Sequence, residues 1–340
     1  MTHLRRLRRG SSAVPHSKLT PAKIATIIIM TIMCGVFLLD IMTVLLFNHY
    51  EKRYPVEKES FSFLARSGES RIHFLDTGNS DAALLESDGH FALIDSGWGS
   101  DNPNAKARRP GYEDQVLAYL KKVAADADGV VRLDFILATH YHYDHAGGFA
   151  GILADPVIEA DVAYLRAPEH LAGKVKYLAE ISEQVFSAAR SRGIPIADPP
   201  AGPFLLGAME IRFFNLNRYE KNENDNSIVT LVRVNGATAL LTADITNLRG
   251  LEGRLGREIG QVDLMTLCHH GYALSNAMPL LRAAQPKLAI VNNDLGKVYP
   301  NVKWNLVMGA RAPYYSTVRE GGIIVHFGED GEIRLTGGLE

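Results

Sequence analysis

Read as a string of apolar and polar positions, the chain changes character three times. Ile24 to Phe47 is an apolar run of 24 residues with one charge, Asp40. At the helical rise it spans roughly 36 Å, enough to cross a hydrocarbon core with some tilt. Residues 48–70 are mixed in character and read as a polar tether. From Arg71 onward, short apolar segments are broken by Gly, Asp and Asn, the mark of strands joined by turns. Arg71–Leu75, Ala82–Glu86 and Phe91–Ile94 read as a meander ending at Asp95-Ser96-Gly97. A helix is expected over Tyr112–Ala125, then a buried strand over Leu133–Thr139.

Residues 168–192 have helical spacing, and Pro195, Pro199, Pro200 and Pro203 mark a loop after them. A second series follows. Strands are expected at Glu210–Phe214, Ile228–Val234, Thr238–Leu241, Val262–Cys268 and Lys287–Val291, with helices near 247–258, 277–284 and 303–309. Gly322–Phe327 and Glu332–Leu335 close the chain. Two strand-rich halves, each followed by helices, imply an α/β fold with two sheets face to face and helices outside.

The segment before the apolar run carries Arg5, Arg6, Arg8, Arg9, Lys18 and Lys23 and no acidic residue. By the positive-inside rule this end stays in the cytoplasm and the rest is exported. The run is too long for a signal-peptide core and no small-x-small cleavage site follows, so an anchor is the expectation over a cleaved signal. The chain thus divides into a basic cytoplasmic start (1–23), a transmembrane anchor (24–47), a tether (48–70) and an exported domain (71–340). The net charge of −2 gives no global field to gather nucleic acid. Two cysteines, Cys34 and Cys268, cannot form a disulfide framework or a four-thiolate zinc site.

Of twelve histidines, five fall in two short clusters. The first is Thr139-His140-Tyr141-His142-Tyr143-Asp144-His145-Ala146-Gly147-Gly148, directly after a predicted strand. Alternation points His140 and His142 the same way, and the turn swings Asp144 and His145 toward a second position. Imidazole with carboxylate suits zinc, manganese or iron, and two neighbouring sites suit ester or phosphodiester hydrolysis. Asp244 ends one later strand, and His269-His270-Gly271 ends the next.

This pattern resembles the H-x-H-x-D-H signature of the metallo-β-lactamase superfamily. Within it, the chain is similar to the branch of the DNA-uptake protein ComEC and secreted relatives such as phosphorylcholine esterase. The residues that carry the likeness are Asp76-Thr77-Gly78-Asn79-Ser80-Asp81-Ala82, Leu93-Ile94-Asp95-Ser96-Gly97, Asn224-Asp225-Asn226-Ser227, Leu240-Leu241-Thr242-Ala243-Asp244-Ile245, His269-His270-Gly271, Tyr315-Ser316-Thr317 and Gly321-Gly322-Ile323. The resemblance implies a four-layer αββα sandwich and two divalent metal ions, Zn²⁺ or Mn²⁺. His140 and His142 would hold the first ion and Asp144 and His145 the second. Asp244 would bridge them, and one of His269 and His270 would complete the second, His270 being favoured because the superfamily's last histidine usually precedes glycine. His269 is then a catalytic or substrate contact beside Asp144 and Asp244, and Asp95, Asp81 and Asn226 support the ligands from behind.

The sequence departs from the family in three places. No histidine lies between His170 and His269, so a ligand that most members have is missing, and Asp225 or Asn226 is the substitute at hand. Tyr272 stands where the branch has serine, and Tyr299 precedes Pro300 where it has histidine. The expected activity is an extracytoplasmic phosphodiesterase acting on DNA or a phosphorylcholine-type wall ester through a metal-activated water, with no obligate protein partner. An amide or lactone hydrolase and a tethered binding domain without catalysis are the alternatives. Tyr141, Tyr143, Tyr272 and Tyr299 are candidates to line the cleft, and segment 155–205 to cover it.

Overall fold

The computed structural model describes residues 19–58, 68–103, 109–171, 175–217 and 219–339. The basic start of the chain lies outside the described residues apart from its last few positions. The chain forms two compact units, residues 1–42 and 43–340.

A single helix, Pro21–Glu51, contains the apolar run and is long and apolar enough to cross a membrane, as a signal sequence also would be. Its side chains between Ile24 and Leu38 are exposed. Its last turns belong to the second unit, where Tyr50 is buried and the Phe47 and Tyr314 rings lie 4.7 Å apart. The stretch read as a polar tether is therefore structured at its start. After the helix, Val56–Glu57 adds a parallel edge strand against Leu335–Thr336, and the Tyr315 hydroxyl donates to the Tyr54 carbonyl at 2.7 Å. Residues 59–67 of that stretch lie outside the described residues.

The second unit is a four-layer sandwich. Among the described residues, one sheet has nine strands, in the spatial order 56–57, 333–337, 323–327, 70–74, 83–87, 90–94, 135–137, 163–164, 196–197. The other has seven, running from 204–206 to 314–316 in chain order. Apart from the parallel edge strand Val56–Glu57, each sheet starts with antiparallel pairs and turns parallel partway across. In the first the change falls between His90–Ile94 and Phe135–Leu137, in the second between Ala237–Leu241 and Leu264–Thr266. Parallel strands need crossover helices, and these cover the outer faces.

Alternation along the strands divides the core. Ile72, Phe74, Phe135, Leu137, Phe213 and Leu264 fill the space between the sheets. Helices Glu113–Val123, Phe149–Ala154 and Lys176–Ser191 pack on the outer face of the first sheet, and Leu251–Ile259 and Met278–Ala284 on that of the second. Arg71 and His73 point away from the intersheet core. Arg71 sits opposite Glu86 and makes a two-pronged pair with it (2.7 and 2.6 Å), while His73 bridges Glu86 and Tyr119, both at 2.8 Å. A fully buried guanidinium is tolerable only with such pairing.

The strand read over Leu133–Thr139 is two short strands, Val131–Leu133 and Phe135–Leu137, which join different partners. The helix read near 303–309 is one α turn, Pro300–Trp304, continued by a π-helical segment, Asn305–Ala310.

Candidate metal centre

The site forms where strands of both sheets end together. On the first sheet, Ile94 leads into Asp95, which takes a left-handed conformation (φ 57°), and Leu137 leads into the Thr139–His145 turn. The Asp95 carboxylate accepts the Thr139 backbone N–H and its hydroxyl, each at 2.8 Å, so it fixes the start of that turn. The glycines that follow are required by space. A Cβ on Gly148 would lie 2.4 Å from the Ser96 carbonyl oxygen. On the second sheet, Leu241 is followed by Thr242, a left-handed Ala243 (φ 46°) and Asp244. The next strand, Leu264–Thr266, leads into a tight turn in which His269 and His270 are both left-handed (φ 51° and 49°). Left-handed backbone costs an L-residue roughly 1–2 kcal/mol each, so the surroundings must hold this pair in place.

Two groups of donors result. His140 Nε2 and His142 Nδ1 are 3.1 Å apart, and Asp244 Oδ2 is 3.7 Å from His140 Nε2. His145 Nε2 and His270 Nε2 are 3.3 Å apart, and Asp244 Oδ1 lies 3.2 Å from the first and 3.3 Å from the second. One carboxylate thus presents one oxygen to each imidazole pair. Asp144 Oδ2 approaches the second group at 3.7 Å from His270 Nε2.

The remaining ring atoms show which faces point inward. His145 Nδ1 is engaged by Asp95 at 2.7 Å, and His270 Nδ1 lies 3.2 Å from Asp81 Oδ1. His140 Nδ1 meets the hydroxyls of Thr139 (3.1 Å) and Ser227 (3.2 Å). Asp81, His145 and His270 also bring ligand-capable atoms within 4.8 Å of one another, as do His140, His142 and Asp244. Asp81, however, faces the Nδ1 atoms of both rings, the side turned away from Asp244, and Asn292 donates to its Oδ1 at 2.8 Å. It stands behind His270 at ion-pair distance, whereas Asp95 is hydrogen-bonded behind His145.

The donor set fits divalent cations. The Nε2 atoms of His145 and His270 and the Oδ1 of Asp244 face one another within 3.3 Å, and the buried Asp244 Oδ1 has no hydrogen-bond partner. The electrostatics agree that positive charge belongs there. Burial opposes charging His145, yet Asp244, Asp95 and Asp81 hold its pKa well above the ordinary value. Burial likewise opposes charging His270, but Asp244 and Asp81 raise it to about 9. Burial alone would raise Asp244, but His145 and His270 hold it well below the usual carboxylate range. In the first group, burial and the neighbouring His145 and His142 push His140 well down, leaving it a neutral ring with a lone pair to give.

Of the residues expected from the sequence, His140, His142, Asp144, His145, Asp244 and His270 are brought together, with Asp95 and Asp81 behind them. His269 lies beside the site, its Nε2 4.0 Å from Asp244 Oδ2 and 3.1 Å from Asn224 Nδ2. Asn226 is not part of the site. Its side chain is spent on the Glu220 backbone and on Glu223, bracing its own loop (2.7 to 3.0 Å). Asp225 is likewise held away, accepting the Thr246 N–H and hydroxyl. Neither substitutes for the missing histidine. Ser227 does what was expected of Asn226, touching His140 and accepting the Asp244 backbone N–H at 3.3 Å. Sequence reading missed Ser227, Thr139, Asn224 and Asn292, though the first three sit within or beside motifs already singled out. Tyr141 does not line the cleft. It is buried, and its hydroxyl donates to the Arg166 carbonyl at 2.6 Å.

The family model of the metallo-beta-lactamase superfamily matches residues 75–291, which contain all of these side chains except Asn292. No curated relative matches. Among solved structures, the chain is similar to the metallo-beta-lactamase fold protein YhfI from Bacillus subtilis, at 12% identity and TM-score 0.47, covering 73% of this chain and 96% of that one. It is also similar to CmlA, a diiron beta-hydroxylase from Streptomyces venezuelae, at 13% identity and TM-score 0.44, covering 74% of this chain and 53% of that one. A putative metallo-beta-lactamase from Thermotoga maritima aligns at 16% identity and TM-score 0.37, covering 55% and 84%.

Proposed function

Because the chain belongs to the metallo-β-lactamase superfamily, we propose that it is a membrane-anchored hydrolase that cleaves phosphodiesters outside the cytoplasm. The observation that carries the hydrolase reading is Asp244 reaching both imidazole pairs, at 3.2 and 3.7 Å. His140, His142 and Asp244 would hold one divalent cation, and His145, His270, Asp144 and Asp244 a second, zinc or manganese by donor type. Such a pair supplies Lewis-acid charge and lowers the pKa of water toward neutrality. The protein's own part is positional. Asp95 and Asp81 hold His145 and His270 with their Nε2 atoms inward, and Ser227 does the same for His140. His269, whose pKa burial lowers from the ordinary value, presents a neutral ring at the edge of the site and can take or give a proton at Nε2.

The phosphodiester reading rests on the mouth of the cleft. The Arg109 guanidinium lies over the Trp98 ring, and Trp98 packs on Tyr143 with centroids 4.1 Å apart. Tyr143 immediately precedes Asp144, and the Arg109 charge feels Asp144, Tyr112, Tyr143 and Tyr272. A cation so placed suits an anionic substrate. It also occupies the aromatic face that a choline head group would need, which favours a polyanion such as DNA over a choline-bearing wall ester. The branch-level motifs support either ester. The helix Pro21–Glu51 and its basic flank support an anchor with the catalytic unit outside.

A second reading, a tethered binding domain, is favoured by the first group having two histidines rather than three. A substrate panel on the full chain in detergent decides. The account expects metal-dependent cleavage of bis-(p-nitrophenyl) phosphate and linear DNA in preference to p-nitrophenyl phosphorylcholine and a chromogenic β-lactam. Cleavage of the β-lactam alone overturns the phosphodiester reading, and bound metal with no turnover favours the binding domain.

A further inference from the structure

The two left-handed histidines are the most strained part of the site, and a buried carboxylate outside it holds their turn. Glu252, on the helix Leu251–Ile259, is fully buried. Its Oε1 accepts the Asn276 backbone N–H at 2.7 Å and its Oε2 the Ala277 N–H at 2.6 Å. Asn276 is itself left-handed (φ 56°), as is Leu274 (φ 65°). The Asn276 side chain then closes on Cys268 from both sides, accepting its N–H at 3.0 Å and donating to its carbonyl at 2.9 Å. Ser275 Oγ sits between the Cys268 and Tyr272 carbonyls, at 2.9 and 2.6 Å. Asn305, at the start of the π-helical segment, donates to the Asn276 carbonyl at 3.1 Å. Cys268 is the residue before His269.

We propose that Glu252 is a positioning residue for the second metal pocket, acting through Asn276 and Cys268 to hold His270 in the left-handed turn that aims its Nε2 at Asp244. The proposal rests on the two-metal reading of the site. Two features of the chain set it apart from ordinary helix packing. A carboxylate that receives two adjacent backbone N–H groups fixes a loop more tightly than a side chain with one acceptor. The same loop also carries four left-handed non-glycine residues, His269, His270, Leu274 and Asn276, which relax once their restraints are lost.

The test is a metal titration of the full chain in detergent, stripped with chelator and reloaded with Co²⁺, following the absorption of the bound ion. Glu252→Ala is compared with Glu252→Gln and with Leu255→Ala, a buried apolar position on the same helix whose side chain makes no hydrogen bond to the loop. The expected result for Glu252→Ala is a second equivalent bound about tenfold or more weakly, the first changing much less, with an altered Co²⁺ spectrum. Glu252→Gln recovers part of the loss, because its one carbonyl oxygen keeps one of the two N–H bonds. Leu255→Ala leaves the second equivalent as in the wild type despite a lower melting temperature. Should the alanine variant fail to accumulate, the glutamine variant decides on the same spectrum. Equal weakening of both equivalents, or the same loss in Leu255→Ala, overturns the proposal. A wild-type chain that takes up fewer than two equivalents overturns it together with the two-metal reading. Two equivalents bound with no diester cleaved defeats only the proposed activity, and the Glu252 comparison is still read from the titration.

Discussion

Asp95 Oδ2 lies 2.7 Å from His145 Nδ1, and this contact decides which face of the ring looks toward Asp244. The carboxylate accepts, so Nδ1 keeps its proton and Nε2 is the ring atom that gives one up when a metal binds. Asp95 spends its other oxygen on the Thr139 N–H, which ties the ring's orientation to the start of the histidine-bearing turn.

Asp95→Asn keeps the shape and reverses that logic. The new amide donates toward His145 Nδ1 and drives the proton to Nε2, where it competes with metal. The second equivalent is expected to bind roughly 10–100-fold more weakly, read by chelator competition. Unchanged affinity would show that Asp95 merely packs.

Asp244→Asn removes the one carboxylate shared by both groups. Both equivalents should weaken together and hydrolysis should fall by about a thousandfold or more, a loss of the size seen when a preorganised charge is removed from an active site. Weakening of one equivalent alone would mean that Asp244 serves a single pocket.

Arg109→Glu reverses the charge at the cleft mouth while leaving the ligands intact. KM for DNA should rise about tenfold or more, and the dependence of KM on salt should flatten. A KM that does not move would remove the argument for an anionic substrate.

Glu252 gives a pH prediction of definite sign. Burial raises its pKa from 4.5 to about 7. Between those values the unfolded chain releases a proton that the folded chain keeps, so this group's contribution is fully present below pH 4.5 and lost as pH rises through 7. The scale is about 3 kcal/mol. The wild-type melting temperature should fall from pH 5 to 7.5, and that of Glu252→Gln should fall less. Parallel curves would contradict the assignment.

Much of the architecture is legible in the sequence because the chemistry is local there. His140 to His145 sit in one turn, and the end of a strand fixes which side chains share a face. Asp81, Asp95, Asp244 and His270 are legible through family motifs, each at the end of a strand. What is not legible depends on closure of the two sheets. Ser227 and Asn226 are neighbours in sequence, and only the 3₁₀ turn Asn224–Asn226 turns one toward His140 and the other back into its loop. Glu252 lies in a helix whose pattern shows only its apolar stripe, and Asn276 meets it from 24 residues away. The stretch read as a tether is held at Tyr54 and Val56, whose partners, Tyr315 and Leu335, come at the far end of the chain.

The most direct test of the central claim is to purify the full chain in detergent, count bound metal, and assay bis-(p-nitrophenyl) phosphate with and without added Zn²⁺ or Mn²⁺, beside a His142→Ala/Asp144→Ala variant. The account predicts close to two equivalents and metal-dependent cleavage in the wild type, with both reduced and turnover abolished in the variant. Cleavage that survives the double substitution, or a wild-type chain that takes up no metal, would contradict it.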